Sequence, residues 1–257
     1  MDIRKAIIPA AGRGTRMGPL TRALPKEMLP LRNKPMIQWA VEEAADARIS
    51  DVCVVIRKGK EIIRDFLLRT FALRKTPALT FIHQRSWDGL GGALRAARTF
   101  VGRDVFLMIV PDQFLAPKGA SASGQLVARY EFDEPTVLST LVRIPGRELE
   151  YFPGSRPFNC PRGISTRGVF AIGSVSRESG KTQNESFAIR GFGRTIFPPE
   201  IFGYLGRRFR NPQSGEIDLF KTFLEFPKRI SHWGCLLTGR ACDFGTLRGY
   251  RRYAAVF

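Results

Sequence analysis

The chain has 257 residues, 44% of them hydrophobic, enough for a substantial core, and no run of about 18 apolar residues that would span a membrane. Its 41 basic and 23 acidic residues give a formal charge of +18, and 31 of the cations are arginine, which points to anionic partners. The arginines are spread along the whole chain instead of forming a tail or an aromatic-laced block, which makes solvated surface the default for most of them over a nucleic-acid groove, and phosphorylated small molecules are a further anionic class.

In chain order, apolar runs at Ala6 to Pro9, Val52 to Ile56, Leu79 to Ile82 and Val105 to Val110 predict strands. They alternate with helical patterns near Pro35 to Ala47, Lys60 to Phe71 and Leu90 to Phe100. This alternation predicts an α/β fold with a doubly wound, mostly parallel sheet, in which ligands lie outside the carboxyl ends of the strands. Beyond Val142 the rhythm loosens, and residues 144–186, rich in Pro, Gly and polar side chains, read as an insertion or lid within one domain spanning 1–257. Helices are expected at Pro199 to Arg208 and Ile217 to Phe226, a strand at Ile230 to Leu237, and a closing helix from Leu247 to Phe257. The N-terminus "MDIRKAII" is too short for a signal peptide, so a cytoplasmic location is expected. Cys53, Cys160, Cys235 and Cys242 show no metal-ligand spacing and read as reduced structural thiols.

The loop after the first strand is the most informative segment. The stretch "IIPAAGRGTRMGPLTRALPKEMLPL", Ile7 to Leu31, gathers Gly12, Gly14 and Gly18, which let backbone approach a ligand and offer amide donors to phosphate oxygens. It is neither a P-loop, lacking GxxxxGK[ST], nor a dinucleotide fingerprint, since the third glycine comes one residue late and Arg57-Lys58 follows the second strand where an acid belongs. What remains is a glycine loop followed by fixed cations, Arg13, Arg16, Arg22 and Lys26, along a path stiffened by three prolines. Such a loop suits a triphosphate.

The run "KAIIPAAGRGTRMGPLTRALPKEMLPLRNKPMIQWAVEEA" resembles the N-terminal signature of the sugar-1-phosphate nucleotidyltransferases. Within them, "PKEMLPL" and "KPMIQ" are most similar to the bacterial UTP-glucose-1-phosphate uridylyltransferases. "IHQRSWDGLGGA" is similar to the family's base-reading segment, "IVPDQFL" to its metal motif, "FAIRGFGRTIFPPEIF" and "GEIDLFKTF" to its sugar-side elements, and "GRACDFGTLRGYRRY" to its closing Asp-x-Gly segment.

The resemblance implies a reaction in which a sugar-1-phosphate oxygen attacks the α-phosphorus of a nucleoside triphosphate and pyrophosphate leaves. Arg16 and Lys26 are then the catalytic cations; Ala10, Ala11, Gly12, Gly14, Thr15 and Glu27 belong to the nucleotide site, and Gln84 and Gly89 to base recognition. Asp112 and Asp243 are the implied Mg²⁺ ligands, hard oxygens suited to that ion. Arg177 and Glu216 are implied on the sugar-phosphate side, and a homo-oligomer is common in the family. Uracil as the base rests on the resemblance, and a thymidylyl or other transferase with a different acceptor, or a non-catalytic nucleotide-binding paralogue, remains open. The chain departs from the family in three places. Val175-Ser176-Arg177-Glu178 stands where Val-Glu-Lys-Pro is usual, Asp88 where a basic residue is common, and Gly92 where the uridylyltransferases tend to carry histidine.

Overall fold

A computed structural model of the chain describes residues 2–74, 76–117, 119–155, 157, 168–172, 187–206, 210–211, 214–219, 222 and 230–254. Its strands, in chain order, are β1 (Lys5–Pro9), β2 (Pro30–Leu31), β3 (Lys34–Pro35), β4 (Asp51–Ile56), β5 (Ala78–His83), β6 (Phe106–Ile109), β7 (Gln113–Pro117), β8 (Thr136–Pro145), β9 (Val169–Ala171), β10 (Phe187–Phe197), β11 (Ser231–Leu236) and β12 (Gly239–Asp243). Eight of them form one sheet in the order β5-β4-β1-β6-β10-β8-β11-β9. The half built from the first 110 residues is parallel throughout. β10 then inserts antiparallel between β6 and β8, and β9 pairs antiparallel with β11, while β8 and β11 run parallel.

The continuous apolar runs are explained by burial on both faces. In β1, Ala6 and Ile8 join one core cluster with Ile37, Val41, Ile63 and Leu67, while Ile7 joins the other with Ala93, Leu94 and Val101. Helices Met36–Asp46 and Glu61–Thr70 therefore cover one face and Gly89–Ala96 the other. Cys53, Cys235 and Cys242 are buried free thiols, and burial pushes each of them up, Cys53 to about 12. Cys160 lies outside the described residues. No helix among the described residues is long and apolar enough to cross a membrane.

Several expectations shift. The helix expected over Leu90 to Phe100 is two pieces, Gly89–Ala96 and Arg98–Val101, meeting at Ala97. β8 runs on through Val142 to Pro145, because Val142 and Ile144 still bury against the core while Arg143 and Pro145 face outward, and a 3-10 segment Gly146–Tyr151 follows. Pro199–Gly203 is a 3-10 turn that opens on two consecutive prolines. Ile217 forms a bridge with Arg210, and the helix expected from it is seen at Leu219 and Thr222, whose amide donates to the Asp218 carbonyl, while most of the rest of that segment lies outside the described residues. So do 158–167 and 173–186 of the expected insertion. The closing helix runs Leu247–Ala254.

Candidate active site

A cleft of about 950 Å³ opens over the carboxyl ends of β1, β4, β5 and β6, as the strand order requires. Ala11, Gly12, Gly14, Thr15, Arg16, Lys26, Glu27, Gln84, Gly89, Asp112, Glu216 and Asp243 all line it. Ala10 does not. It is fully buried, its amide donates to the Val55 carbonyl, and its own carbonyl accepts from Lys60 Nζ at 2.8 Å, so it lies beneath the cleft wall. Arg177 lies outside the described residues.

The glycine loop leaves β1 with Gly14 at φ +71, a left-handed conformation that glycine adopts without penalty. The Thr21 hydroxyl donates to the Gly14 carbonyl and closes the loop on itself. Lys60 fixes the floor. Its ammonium binds the Ala10 carbonyl and Glu27 at 2.7 Å, and burial holds it below the ordinary lysine value against the pull of that carboxylate. Glu27 is 1% exposed and its Oε1 has no partner. Lys60 gave no signal in the sequence beyond opening a helix.

Lys26 Nζ lies 2.5 Å from Asp112 Oδ2. Burial pushes the lysine down, but Asp112 and Glu27 outweigh it and hold the ammonium above its usual range. Burial likewise raises Asp112, and Lys26 more than reverses this, so that the carboxylate sits below the usual range. Asp243 has no such cation. Burial and the Asp112 charge push it up to about 6, although Gln113 Nε2 and the Gly245 amide both donate to it. Both carboxylates face Gly245, where an added Cβ would come 2.9 Å from Asp112 Oδ2 and 3.0 Å from Asp243 Oδ1. Two hard oxygen donors converging beside an open phosphate-sized cleft, one of them pushed toward protonation, fit a divalent cation that completes its shell with phosphate and water. No cluster of three or more carboxylate, histidine or cysteine side chains suited to a metal exists among the described residues. Protein ligands would thus be these two.

At the end of the cleft lined by the segment after β5, Gln84 Nε2 donates to the Gly89 carbonyl at 3.1 Å, which orients the amide while leaving its oxygen and second N–H for a ligand. Gly89 has φ +67, and a Cβ there would meet Glu216 at 2.8 Å. Glu216, expected on the sugar-phosphate side, therefore stands beside Gly89. The opposite end is lined by Ser139, Thr140, Gly191, Phe192, Gly193 and Thr195, which the sequence reading did not single out. There the β10 register against β8 shifts between Gly191 and Thr195. This bulge brings Gly193 against Val110, and its amide donates to Gln113 Oε1 at 2.6 Å. Gln113 thus ties β10 to Asp243. The G-x-G-R run inside a strand was the available signal for it.

Comparison with known proteins agrees with this geometry. A nucleotidyl transferase family profile matches residues 5–150. UTP–glucose-1-phosphate uridylyltransferase 1 of Streptococcus pyogenes serotype M1 is 33% identical over 228 residues, 80% of this chain and 73% of that protein. UTP–glucose-1-phosphate uridylyltransferase 2 of serotype M3 is 31% identical over 272 residues, 97% of this chain and 88% of that protein. Among solved structures, a UDP-glucose pyrophosphorylase complexed with UDP-glucose has a TM-score of 0.81 at 24% identity, covering 99% of this chain and 98% of that one. The UTP-bound UGPase from Acinetobacter baumannii also scores 0.81, at 20% identity over 99% and 93%. With a profile across more than half of its length and relatives above 30% identity over most of it, the chain belongs to the nucleotidyl transferase family.

Proposed function

We propose that the chain joins UTP to glucose-1-phosphate, or a closely related hexose-1-phosphate, and releases pyrophosphate. The observation that carries this reading is the convergence of Lys26, Arg16, Asp112 and Asp243 on one cleft that also holds the glycine loop and Gln84. The curated relatives are uridylyltransferases by name, and family members commonly use a divalent metal. In this reading residues 1–257 form a single catalytic domain with 144–186 as a divergent insertion, working in the cytoplasm.

A sugar-phosphate oxygen attacks the α-phosphorus, the new P–O bond forms, and the bond to the β-phosphate oxygen breaks with its electrons leaving on pyrophosphate. The attacking phosphate is already an anion at neutral pH, so no general base is required. In keeping with this, neither of the two histidines lines the cleft. The protein's work is alignment and charge neutralisation. Lys26 is a fully charged donor whose ammonium can pass from Asp112 to the α-phosphate, and Arg16 meets the phosphate tail. Asp112 and Asp243 would hold Mg²⁺, which supplies further neutralisation of the crowded phosphates. Gln84 and Gly89 take the base, Glu216 stands close by, and Arg177 is assigned to the sugar phosphate from the resemblance alone.

The test is pyrophosphate release across UTP, TTP, CTP, ATP and GTP, each paired with several hexose-1-phosphates in Mg²⁺. UTP with glucose-1-phosphate is expected among the fastest pairs. Binding of nucleotide with no pyrophosphate from any pair would overturn the reading in favour of a non-catalytic paralogue.

A further inference from the structure

Outside the residues assigned so far, the cleft mouth carries a feature built around one indole. Trp87 is 49% exposed, whereas Trp39 and Trp233 are partly buried against the core. The guanidinium carbon of Arg13 lies 3.7 Å from the centre of the Trp87 ring, and that of Arg57 lies 4.4 Å from it. Arg13 comes from the glycine loop after β1, and Arg57 is the first residue after β4, so two separate strand ends deliver their cations to one side chain from the loop after β5. All three residues line the cleft, with Lys58 and Arg85 beside them.

Several buried or half-buried cations among the described residues have a carboxylate. Arg194 has Glu43, Arg95 and Arg210 have Asp88, Lys60 has Glu27 and Arg240 has Glu148. Among the described residues no carboxylate forms an ion pair with Arg13, Arg57, Lys58 or Arg85. Arg57 Nε is buried and has no hydrogen-bond partner. Two guanidiniums gathered on one ring repel each other, and a buried N–H without an acceptor is a loss that native structures rarely leave unanswered. The indole face offsets part of that repulsion and fixes where the two cations sit. An anion offers the remainder, and guanidinium forks match phosphate oxygens two at a time.

The position says which phosphates. Arg13 lies between Gly12 and Gly14, at the loop read as holding the triphosphate, and on the far side of that loop from Lys26 and the carboxylate pair stand Trp87 and Arg57. We infer that Arg13, Arg57 and Trp87 form a clamp for the β- and γ-phosphates of the nucleotide, the part that leaves as pyrophosphate. Arg13 and Arg57 touch those phosphates, and Trp87 is the positioning residue that aligns them. This rests on the nucleotidyl-transfer reading above, but the clamp can be tested without turnover.

The experiment is calorimetric titration of the wild-type chain, Trp87→Leu and Arg57→Gln with UTP, inorganic pyrophosphate and UMP, together with indole fluorescence. Trp87 is exposed, so its replacement leaves the fold intact, which a melting curve checks. Both variants are expected to bind UTP and pyrophosphate roughly tenfold or more weakly, as expected for loss of a charge-assisted contact, while UMP affinity stays within about twofold. Pyrophosphate should change the wild-type emission and leave that of Trp87→Leu unmoved. Unchanged pyrophosphate affinity in both variants would overturn the clamp and leave the stack as surface packing. Equal weakening of UMP and UTP in Trp87→Leu would also overturn it and make Trp87 a base-stacking platform. Trp87-dependent pyrophosphate binding in a chain that turns over no nucleotide would keep the clamp and sink the catalytic reading alone.

Discussion

Arg194 and Glu43 form a buried fork, with Nε to Oε1 at 2.9 Å and Nη2 to Oε2 at 2.6 Å, and the remaining Arg194 nitrogen, Nη1, donates to the carbonyls of Val110 and Gln113. Those two carbonyls bracket Asp112. Ser123 also donates to Glu43 through its amide and hydroxyl, so the carboxylate is held below its usual range by Arg194 and Ser123 despite burial that pushes it up. The pair thus anchors the turn that presents Asp112 to the cleft. Arg194→Met leaves a buried, uncompensated carboxylate, which costs about 3 to 5 kcal/mol. A denaturant midpoint close to wild type would show that the fork is not structural. Arg194→Lys keeps the charge but not the fork, and should melt between the two with reduced turnover.

Lys26→Ala is expected to lower turnover about 10² to 10³-fold, the usual effect of losing one preorganised electrostatic donor. The variant also leaves Asp112 without its cation, so some stability should be lost with the fold retained, since both side chains line an open cleft. The loss should fall on kcat, with circular dichroism unchanged. Near-normal turnover in a folded variant would remove Lys26 from the reaction.

Chelation should abolish pyrophosphate release, and Mg²⁺ or Mn²⁺ should restore it. Asp112→Asn should raise the metal concentration needed or end turnover. Asp243→Asn removes the charge beside Asp112 but sets an N–H against either Gln113 Nε2 or the Gly245 amide, which both donate to the carboxylate, so its fold should be somewhat less stable than wild type while its metal requirement rises. A metal requirement unchanged in both variants would place the ion elsewhere.

Much of this site was legible before any coordinates, and the reasons are local. Gly12, Gly14, Arg16 and Lys26 sit in one uninterrupted loop, and Asp112 follows an apolar run, so strand ends and loop chemistry could be read directly. Gln113, Gly193 and Arg194 could not be read in this way. Their roles come from a bulge in β10 meeting a turn 80 residues earlier, a long-range contact that leaves no periodic mark. Ala10 was assigned with its neighbours by motif, but its backbone is consumed by Val55 and Lys60.

His232 gives a pH dependence. It lies on β11 with its Nε2 2.9 Å from Ser139 Oγ, and burial pushes it down to about 4. In the unfolded chain it titrates near 6.5, so between those values the unfolded state binds more protons than the native one. The stability linked to neutral His232 is therefore complete above pH 6.5 and is lost as pH falls toward 4, by about 3 kcal/mol at most. Melting curves between pH 7 and 4 should show this slope, and His232→Gln should flatten it. A slope identical in the variant would assign the acid sensitivity to other groups.

Gly92 explains why this chain lacks the histidine that the uridylyltransferases tend to carry there. A Cβ on Gly92 would lie 2.1 Å from Asp88 Cβ and 2.7 Å from Gln84 Nε2. Asp88 has little freedom to yield, since it is 2% exposed and its carboxylate is bound by Arg95, by Arg210 at 3.1 Å and by Ser86 at 2.8 Å. Moving Gln84, whose side chain bonds the Gly89 carbonyl, would not clear the 2.1 Å contact, so Asp88 has to shift as well. Gly92→Ala should therefore cost at least about 1 to 3 kcal/mol of stability, as overpacking usually does, and raise the KM for UTP by displacing the Gln84 amide. An unchanged KM for UTP in a folded Gly92→Ala would take Gln84 out of base recognition.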